Sequence, residues 1–283
     1  MPFLIKQCYR DKTEQRLRHL FRFIMISLLA ESKTMSSLQP QVAEDIYLEH
    51  KPVFESHADA IMDYFSQLSP GEISSMLGIS QSLGIKARNL AYDFNYKGTG
   101  YKAINGYTGE VFKGLDIDSI PKDLLVDLND KLRIVSSVYG LLKPEDIIKP
   151  YRCEFNKSIT KDHKTSVQVY RQKITIEFSK YIKENKVKDV INLLPADADK
   201  CFDWKIIRAF TSVHKIVFQV YNEKGNLKTP STKRLKELRG LMFRTILENV
   251  ITNFEDLKSF DSPYFLFSKE HSKTLLPMFI STE

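Results

Sequence analysis

Eight cations stand out because they sit in separate short motifs rather than in one charge run: Lys33, Lys113, Lys143, Lys149, Arg152, Lys236, Arg239 and Arg244. Ammonium and guanidinium groups neutralise phosphates and other oxyanions, arginine with a planar fork of donors. Lys143, Lys149 and Arg152 fall in the stretch from Lys131 to Phe155, where Pro144 and Pro150 stiffen a loop that also holds Glu145 and Asp146. Lys236 and Arg244 recur with Lys233 on one side of a helical pattern that has Gly240 between them. Cations that converge from such motifs hold a nucleic-acid backbone without reading its bases. The plainer account is a solvated basic face and, for residues 143–152, a helix terminus with cations near its negative dipole end.

Other chemistries find little footing. His19, His50, His57, His163, His214 and His271 are scattered, with no metal-ligand spacing and no Ser-His-Asp or Cys-His arrangement. There is no P-loop and no GxGxxG, so no cofactor is implied. Cys8, Cys153 and Cys201 form no CxxC pair and suit a reducing cytoplasm as packed thiols.

Something must position the cations, and 283 residues suffice for a full core. A hydrophobic content of 42% with 27% charged residues excludes wholesale disorder. The net charge of +7 and pI of about 9.1 suit a polyanionic partner without requiring one. Residues 1–24 carry Lys6, Arg10, Lys12, Arg16, Arg18 and Arg22 ahead of a short apolar run, imitating a secretory leader. That run is too short to span a bilayer, which takes ~20 residues. We expect residues 1–24 to be an extension outside the core, no membrane association, and one domain from 25 to 283.

Ile26–Ala30 is a continuous apolar run that predicts a buried strand, followed by Lys33 and Thr34. Residues 43–67 predict a long helix with Val53, Ala58, Ile61, Met62 and Phe65 on its apolar stripe. Leu132, Val135, Val138, Tyr139 and Leu142 have helical spacing, so a buried helix is expected there too. Ile174, Phe178 and Ile182 predict another helix, residues 187–194 a strand ending at Pro195, and 213–221 a strand before the turn at residues 222–226. Ser231 caps a helix through Asn249, whose interior Gly240 costs ~1 kcal/mol and implies close approach by a backbone or ligand. Residues 264–267 and 275–279 predict a closing hairpin. The pattern is mixed α/β without a regular βα repeat.

The run Val-Tyr-Gly-Leu-Leu-Lys-Pro-Glu-Asp-Ile-Ile-Lys-Pro-Tyr-Arg from Val138 to Arg152 closely resembles the hallmark of the YaaA family, the bacterial peroxide-stress proteins. Lys236, Arg239, Gly240, Leu241, Met242, Arg244, Ile246, Glu248 and Asn249 match that family's Lys-x-x-Arg-Gly-Leu-Met-x-Arg-x-Ile-x-Glu-Asn. Lys33 and Thr34 match its Ala-x-x-Lys-Thr, with Glu31 and Ser32 in place of more usual residues, and Ala103, Gly106, Val111, Gly114 and Leu115 match a fourth motif with altered spacing. The chain departs at Leu194-Pro195-Ala196-Asp197-Ala198-Asp199, where the family has Ala-Ser-x-Glu-Tyr; Asp197 or Asp199 can replace the carboxylate, but not the hydroxyl or phenol.

The resemblance implies a single-domain YaaA-like fold with a helix-hairpin-helix-like element and a basic cleft. It further implies sequence-independent duplex DNA binding that protects DNA and limits iron-driven damage under peroxide. Residues 70–91 resemble such a hairpin, with Gly84, Lys86 and Arg88 as its phosphate-facing members, although an ordinary helical hairpin accounts for the segment equally well. The expected DNA-binding set is these three residues together with the eight cations. The alternative is an enzyme whose basic cleft takes a small anionic ligand.

Overall fold

The computed structural model describes residues 25–37, 40–94, 99–273 and 276–281; residues 1–24, and any role for them, lie outside this set. At the centre is β1 (Met25–Ala30), buried at every position. A strand covered on both faces has no solvated side to alternate with, hence its unbroken apolar run.

In chain order there follow α1 (Glu44–Glu49), α2 (Glu55–Gln67), α3 (Pro70–Leu77), α4 (Gln81–Asp93), β2 (Tyr101–Lys102), α5 (Ala103–Gly106), α6 (Glu110–Leu115), α7 (Leu128–Lys131), β3 (Leu132–Ser136), β4 (Gly140–Leu142) and β5 (Ile147–Ile148). Then come α8 (Ser166–Asn185), β6 (Asp189–Asn192), α9 (Ala196–Asp199), α10 (Trp204–Ile207), β7 (Ser212–Lys215), β8 (Val217–Tyr221), β9 (Leu227–Lys228), α11 (Thr232–Glu248), α12 (Phe254–Ser259), β10 (Phe265–Lys273) and β11 (Leu276–Ser281). The main sheet has the order β4-β3-β1-β6-β7. β3, β1, β6 and β7 are parallel and β4 is antiparallel to β3. A second sheet has the order β10-β11-β8-β9, closed by the expected antiparallel β10–β11 pair, and β2 pairs with β5. The architecture is mixed α/β, as expected.

Two local expectations are corrected. The stretch from Leu132 to Leu142 is not a helix but β3, a buried turn and β4. A strand buried on both faces puts an apolar residue almost everywhere, so i, i+3 and i+4 matches occur without a helix. The turn is fixed by Ser136 Oγ, which accepts the N–H groups of Val138 (3.2 Å) and Tyr139 (2.9 Å). Gly140 follows with φ +70°, and a Cβ there would meet the rings of Phe54 and Tyr170 at 2.8 Å, so only glycine fits. Arg133 on β3 is 5% exposed, its guanidinium 4.0 Å from the Tyr181 ring centre and donating to the Leu132 carbonyl at 2.8 Å.

The helix expected over residues 43–67 is two helices. Pro52 lacks the N–H needed to continue α1, and Val53 lies in the break at 50% exposure rather than on the apolar stripe.

The reading of Gly240 holds. A Cβ on it would come within 2.7 Å of the Leu115 nitrogen and closer still to the Val111 carbonyl oxygen, while one on Gly114 would meet the Glu237 carbonyl oxygen at 2.5 Å. α6 and α11 therefore cross backbone to backbone through a pair of glycines. That contact fixes where the cations of α11 stand.

Candidate functional site

The parallel strands all end on one edge of the main sheet. β1 connects onward to β3 on one side and β6 to β7 on the other, so the direction of winding reverses between the neighbours β1 and β6. Open α/β sheets bind ligands in the crevice outside the carboxyl ends at such a point. Here that edge carries Glu31 after β1, Ser136 and Ser137 at the end of β3, the Leu193–Asp199 segment after β6, and Lys215 ending β7.

Glu31 continues β1 by donating its N–H to the Val135 carbonyl at 2.8 Å. Its carboxylate accepts the Ser137 N–H at 2.8 Å and a short hydrogen bond from the Tyr151 hydroxyl. Tyr151 Oη also lies 2.7 Å from Ser136 Oγ and 2.7 Å from Tyr107 Oη. The donor inventory fixes the polarity when Glu31 is ionised. Ser136 Oγ already accepts two N–H groups, so its proton points to Tyr151; Tyr107 donates to the same Tyr151 oxygen, and the Tyr151 hydroxyl donates its hydrogen bond to Glu31. Burial pushes the Glu31 carboxyl up to about 7, against the hydrogen bonds from Ser137 and Tyr151 that stabilise its charge. The result is a carboxyl that changes protonation near neutral pH, wired to two buried phenols and a serine.

Two thiols border this network and stay protonated. Burial raises Cys153 to about 12, with Glu31 adding to the effect. Burial also raises Cys201 to about 12, reinforced by the carboxylates of Glu31 and Asp197. Neither has thiolate character at neutral pH.

At the β6 exit, Asp199 acts as a clamp. It accepts from Asn192 Nδ2 at 2.7 Å, pairs with Lys215 at 2.8 Å, and its carbonyl accepts the Trp204 indole N–H at 3.1 Å. Asp197 is exposed, with one oxygen accepting the Ala198 N–H at 2.9 Å.

The expected cations divide by environment. Lys33 and Arg152 come together on the rim beside Glu31: Lys33 pairs with Glu154 at 2.7 Å, while Arg152 Nη1 reaches the Lys33 carbonyl at 3.5 Å and its Nε is buried without a partner. Lys149 donates to the Phe94 carbonyl and lies over the Phe94 ring, bracing the loop. Lys143 is exposed; its backbone N–H donates to the Asp146 carboxylate at 2.8 Å, a group that burial raises to about 7.

Lys113 pairs with Glu110 at 2.9 Å, and Lys233 and Lys236 act on the same carboxylate, so these three gather on one surface of the α6–α11 pair. Arg244 is a clasp between α11 and the end of α6. Its Nη1 donates to Ser119 Oγ at 2.7 Å and to the Leu115 carbonyl at 3.2 Å, and its Nη2 pairs with Glu248 at 2.7 Å. Arg239 is half-buried and has no hydrogen bond or ion pair among the described residues. Burial lowers its pKa, and Asp197 is the carboxylate that opposes the shift.

In the α3–α4 hairpin only Lys86 of the three named residues is fully exposed. Arg88 Nε donates to the Leu68 carbonyl at 3.2 Å. Gly84 is buried and faces α3 rather than solvent, because a Cβ there would collide with Ser74 Oγ and lie 2.5 Å from the Pro70 carbonyl oxygen. Sequence reading missed the network of Glu31, Ser136 and Tyr107. The available signal was a glutamate directly after a buried strand, where burial rather than spacing gives it chemistry.

Among the described residues no group of three or more His, Cys, Asp or Glu is arranged to hold a metal, and no helix is long and apolar enough to cross a membrane.

Comparison with known proteins agrees with the motifs. The UPF0246 protein of Clostridium perfringens strain SM101 is 32% identical over 253 residues, 88% of this chain and 96% of the relative. That of Shewanella woodyi is 28% identical over 261 residues, covering 90% and 98%, and that of Shewanella loihica 27% over 266, covering 92% and 99%. The family described as peroxide stress protein YaaA matches residues 25–271, from the first residue of β1 into β10, and the chain belongs to that family.

Proposed function

We propose that this protein serves the peroxide stress response by binding duplex DNA through its phosphate backbone, without sequence preference. Membership of the peroxide stress family supports the stress role, and the hairpin of α3 and α4 supports the DNA contact. Ser69 and Glu72 close a reciprocal capping box at the start of α3, and Gly78 ends that helix at φ +66°. After Ile79, Ser80 caps α4 by accepting the Leu83 N–H at 3.4 Å, which leaves the N–H groups of Gln81 and Ser82 at the positive end of the helix.

The Lys157 ammonium lies against the same turn, 2.9 Å from where a Gly78 Cβ would stand, and Lys86 is exposed one turn into α4. A glycine turn, a helix N-terminus and two lysines in one hairpin are the elements from which phosphate contacts are made. Arg88 Nε and the close approach at Gly84 hold the hairpin together. Lys33, Lys113, Lys143 and Lys236, whose side chains remain exposed, extend the positive surface.

The test is binding to a random-sequence duplex, followed by fluorescence anisotropy between 50 and 200 mM salt. Log affinity should fall linearly with log salt, by about 0.9 for each phosphate neutralised. Lys86→Ala and Lys157→Ala should each weaken binding and reduce that slope by about one. Unchanged affinity and slope in both folded variants would remove the hairpin as the DNA contact.

A further inference from the structure

At one edge of the main sheet, β3 and β4 enclose a cavity of about 290 Å³ together with α7 and the middle of α8. Arg133 of β3, which is buried, lies at its floor. Glu177 and Tyr181 of α8 are half-buried in its wall, and Asp130, Lys143 and Lys180 are exposed at its mouth.

The floor has donors to spare. A guanidinium carries five N–H groups and no acceptor. In Arg133 the two on Nη1 go to the backbone carbonyls of Leu132, at 2.8 Å, and Asn129, while the Tyr181 ring lies 4.0 Å from the guanidinium carbon and covers one face of the plane. These contacts fix the side chain. Nε and Nη2, with the remaining three N–H groups, make no hydrogen bond or ion pair among the described residues, and neither atom is sealed from solvent. The two nitrogens share one edge of the guanidinium, and that edge meets both oxygens of a carboxylate side-on. Removing a charge from water without a carboxylate to offset it is costly, so an open fork at the floor of a cavity is a seat for one.

We propose that this cavity binds an amino-acid-sized zwitterion, with its carboxylate on the Nε–Nη2 edge of Arg133 and its ammonium group on Glu177. Glu177, Lys143 and Lys180 make no ion pair among the described residues, so both signs of charge stand open in one cavity. An anion alone would be repelled by Glu177 and Asp130, and a cation alone would face Arg133. A molecule that carries both charges pairs with each. The volume lies at the small end of the ~300–1,000 Å³ range of ligand pockets, which suits a metabolite rather than a polymer. A DNA backbone is anionic throughout, so the same carboxylates disfavour it, and the inference is independent of the duplex contact at the α3–α4 hairpin.

The test is isothermal titration calorimetry of the full chain with each of the twenty standard amino acids and with γ-aminobutyrate. For each binder, the same molecule without its amine and the same molecule without its carboxylate are the controls. At least one zwitterion should bind saturably, and removing either charge from it should weaken binding by about tenfold or more. Lys86→Ala, which removes a duplex contact, should leave this binding unchanged.

Arg133→Lys keeps the charge but loses the fork, and should weaken the zwitterion by about tenfold or more. Glu177→Gln should weaken the zwitterion by a similar factor, yet bind the amine-free acid as well as the wild type does or better, with an unchanged melting temperature. A purely structural glutamate would not split the two ligands in this way. Should Arg133→Lys fail to fold, Glu177→Gln decides, because Glu177 has no ion pair whose loss would unfold the chain. No saturable binding by any of these zwitterions would overturn the proposal. So would a control that binds as tightly as its zwitterion, or undiminished zwitterion binding in Glu177→Gln.

Discussion

Replacing Glu31 with glutamine isolates the energetic consequence of burying a carboxyl at the end of β1. In the folded chain this group titrates at about 7 against an ordinary value of 4.5, and burial is the largest cause. Between those two values the folded protein holds a proton that the unfolded chain has released. The stabilisation is therefore complete below 4.5 and is lost progressively as the pH rises to about 7. At ~1.4 kcal/mol per pH unit the loss amounts to about 3 kcal/mol, a large part of the 5–15 kcal/mol typical of a folded domain.

Glutamine keeps an oxygen for the Ser137 N–H and the Tyr151 hydroxyl but cannot ionise. Glu31→Gln should thus gain on the wild type by about 3 kcal/mol between pH 4.5 and pH 8.5, whatever constant offset the amide introduces. Asp146, also raised to about 7 by burial, gives both proteins a residual slope of the same sign, so the difference between them is the quantity to measure. Urea denaturation at four or five pH values supplies it. A difference that does not change with pH would mean that the Glu31 carboxyl is solvated and that its titration near neutrality is not a property of the fold.

Two further substitutions test the frame around the crevice. Gly240→Ala places a methyl group 2.7 Å from the Leu115 nitrogen and nearer still to the Val111 carbonyl; because backbone cannot rotate away as a side chain can, the cost should reach or exceed the ~3 kcal/mol upper range of overpacking, read by urea denaturation. A loss under 1 kcal/mol would show that α6 and α11 can part freely. Arg244→Ala removes donors to Leu115, Ser119 and Asp116 and the pair with Glu248, so it should destabilise by ~2–3 kcal/mol while leaving the salt slope of DNA binding unchanged. A folded variant of undiminished stability with a slope reduced by one would reinstate it as a phosphate contact.

Features with a local cause were legible in the sequence. Ser231 caps α11 by accepting the Arg234 N–H at 3.2 Å, the Asn222–Asn226 turn joins β8 to β9, and Gly240 marks a close backbone approach. Features whose cause is tertiary were not. Helical spacing in residues 132–142 arose from a strand buried on both sides, and only the surrounding Phe54 and Tyr170 rings reveal why no side chain fits at Gly140. The same limit applies to charge. Sequence treats Lys236, Arg239 and Arg244 as equivalent members of one motif, yet one is exposed, one is half-buried with no hydrogen bond or ion pair among the described residues and one is a clasp. Burial and pairing, which decide whether a cation can meet a ligand, are properties of the assembled neighbourhood.

The departure at the β6 exit takes on a different meaning beside the β1 and β3 exits. Resemblance leads one to expect a hydroxyl, a carboxylate and a phenol after β6, and Pro195 and Ala198 supply neither hydroxyl nor phenol. On the neighbouring strands all three groups are hydrogen-bonded together: Ser136, Glu31 and the phenols of Tyr151 and Tyr107. Glu31 itself stands where the matched motif usually has another residue. A buried glutamate raised to about 7 is costly to the fold at neutral pH, and a strand exit gains nothing structural that a neutral side chain would not provide. The carboxyl stands at the sheet edge where open α/β folds place ligands, and a group that titrates near neutrality there is of the kind that functional sites favour.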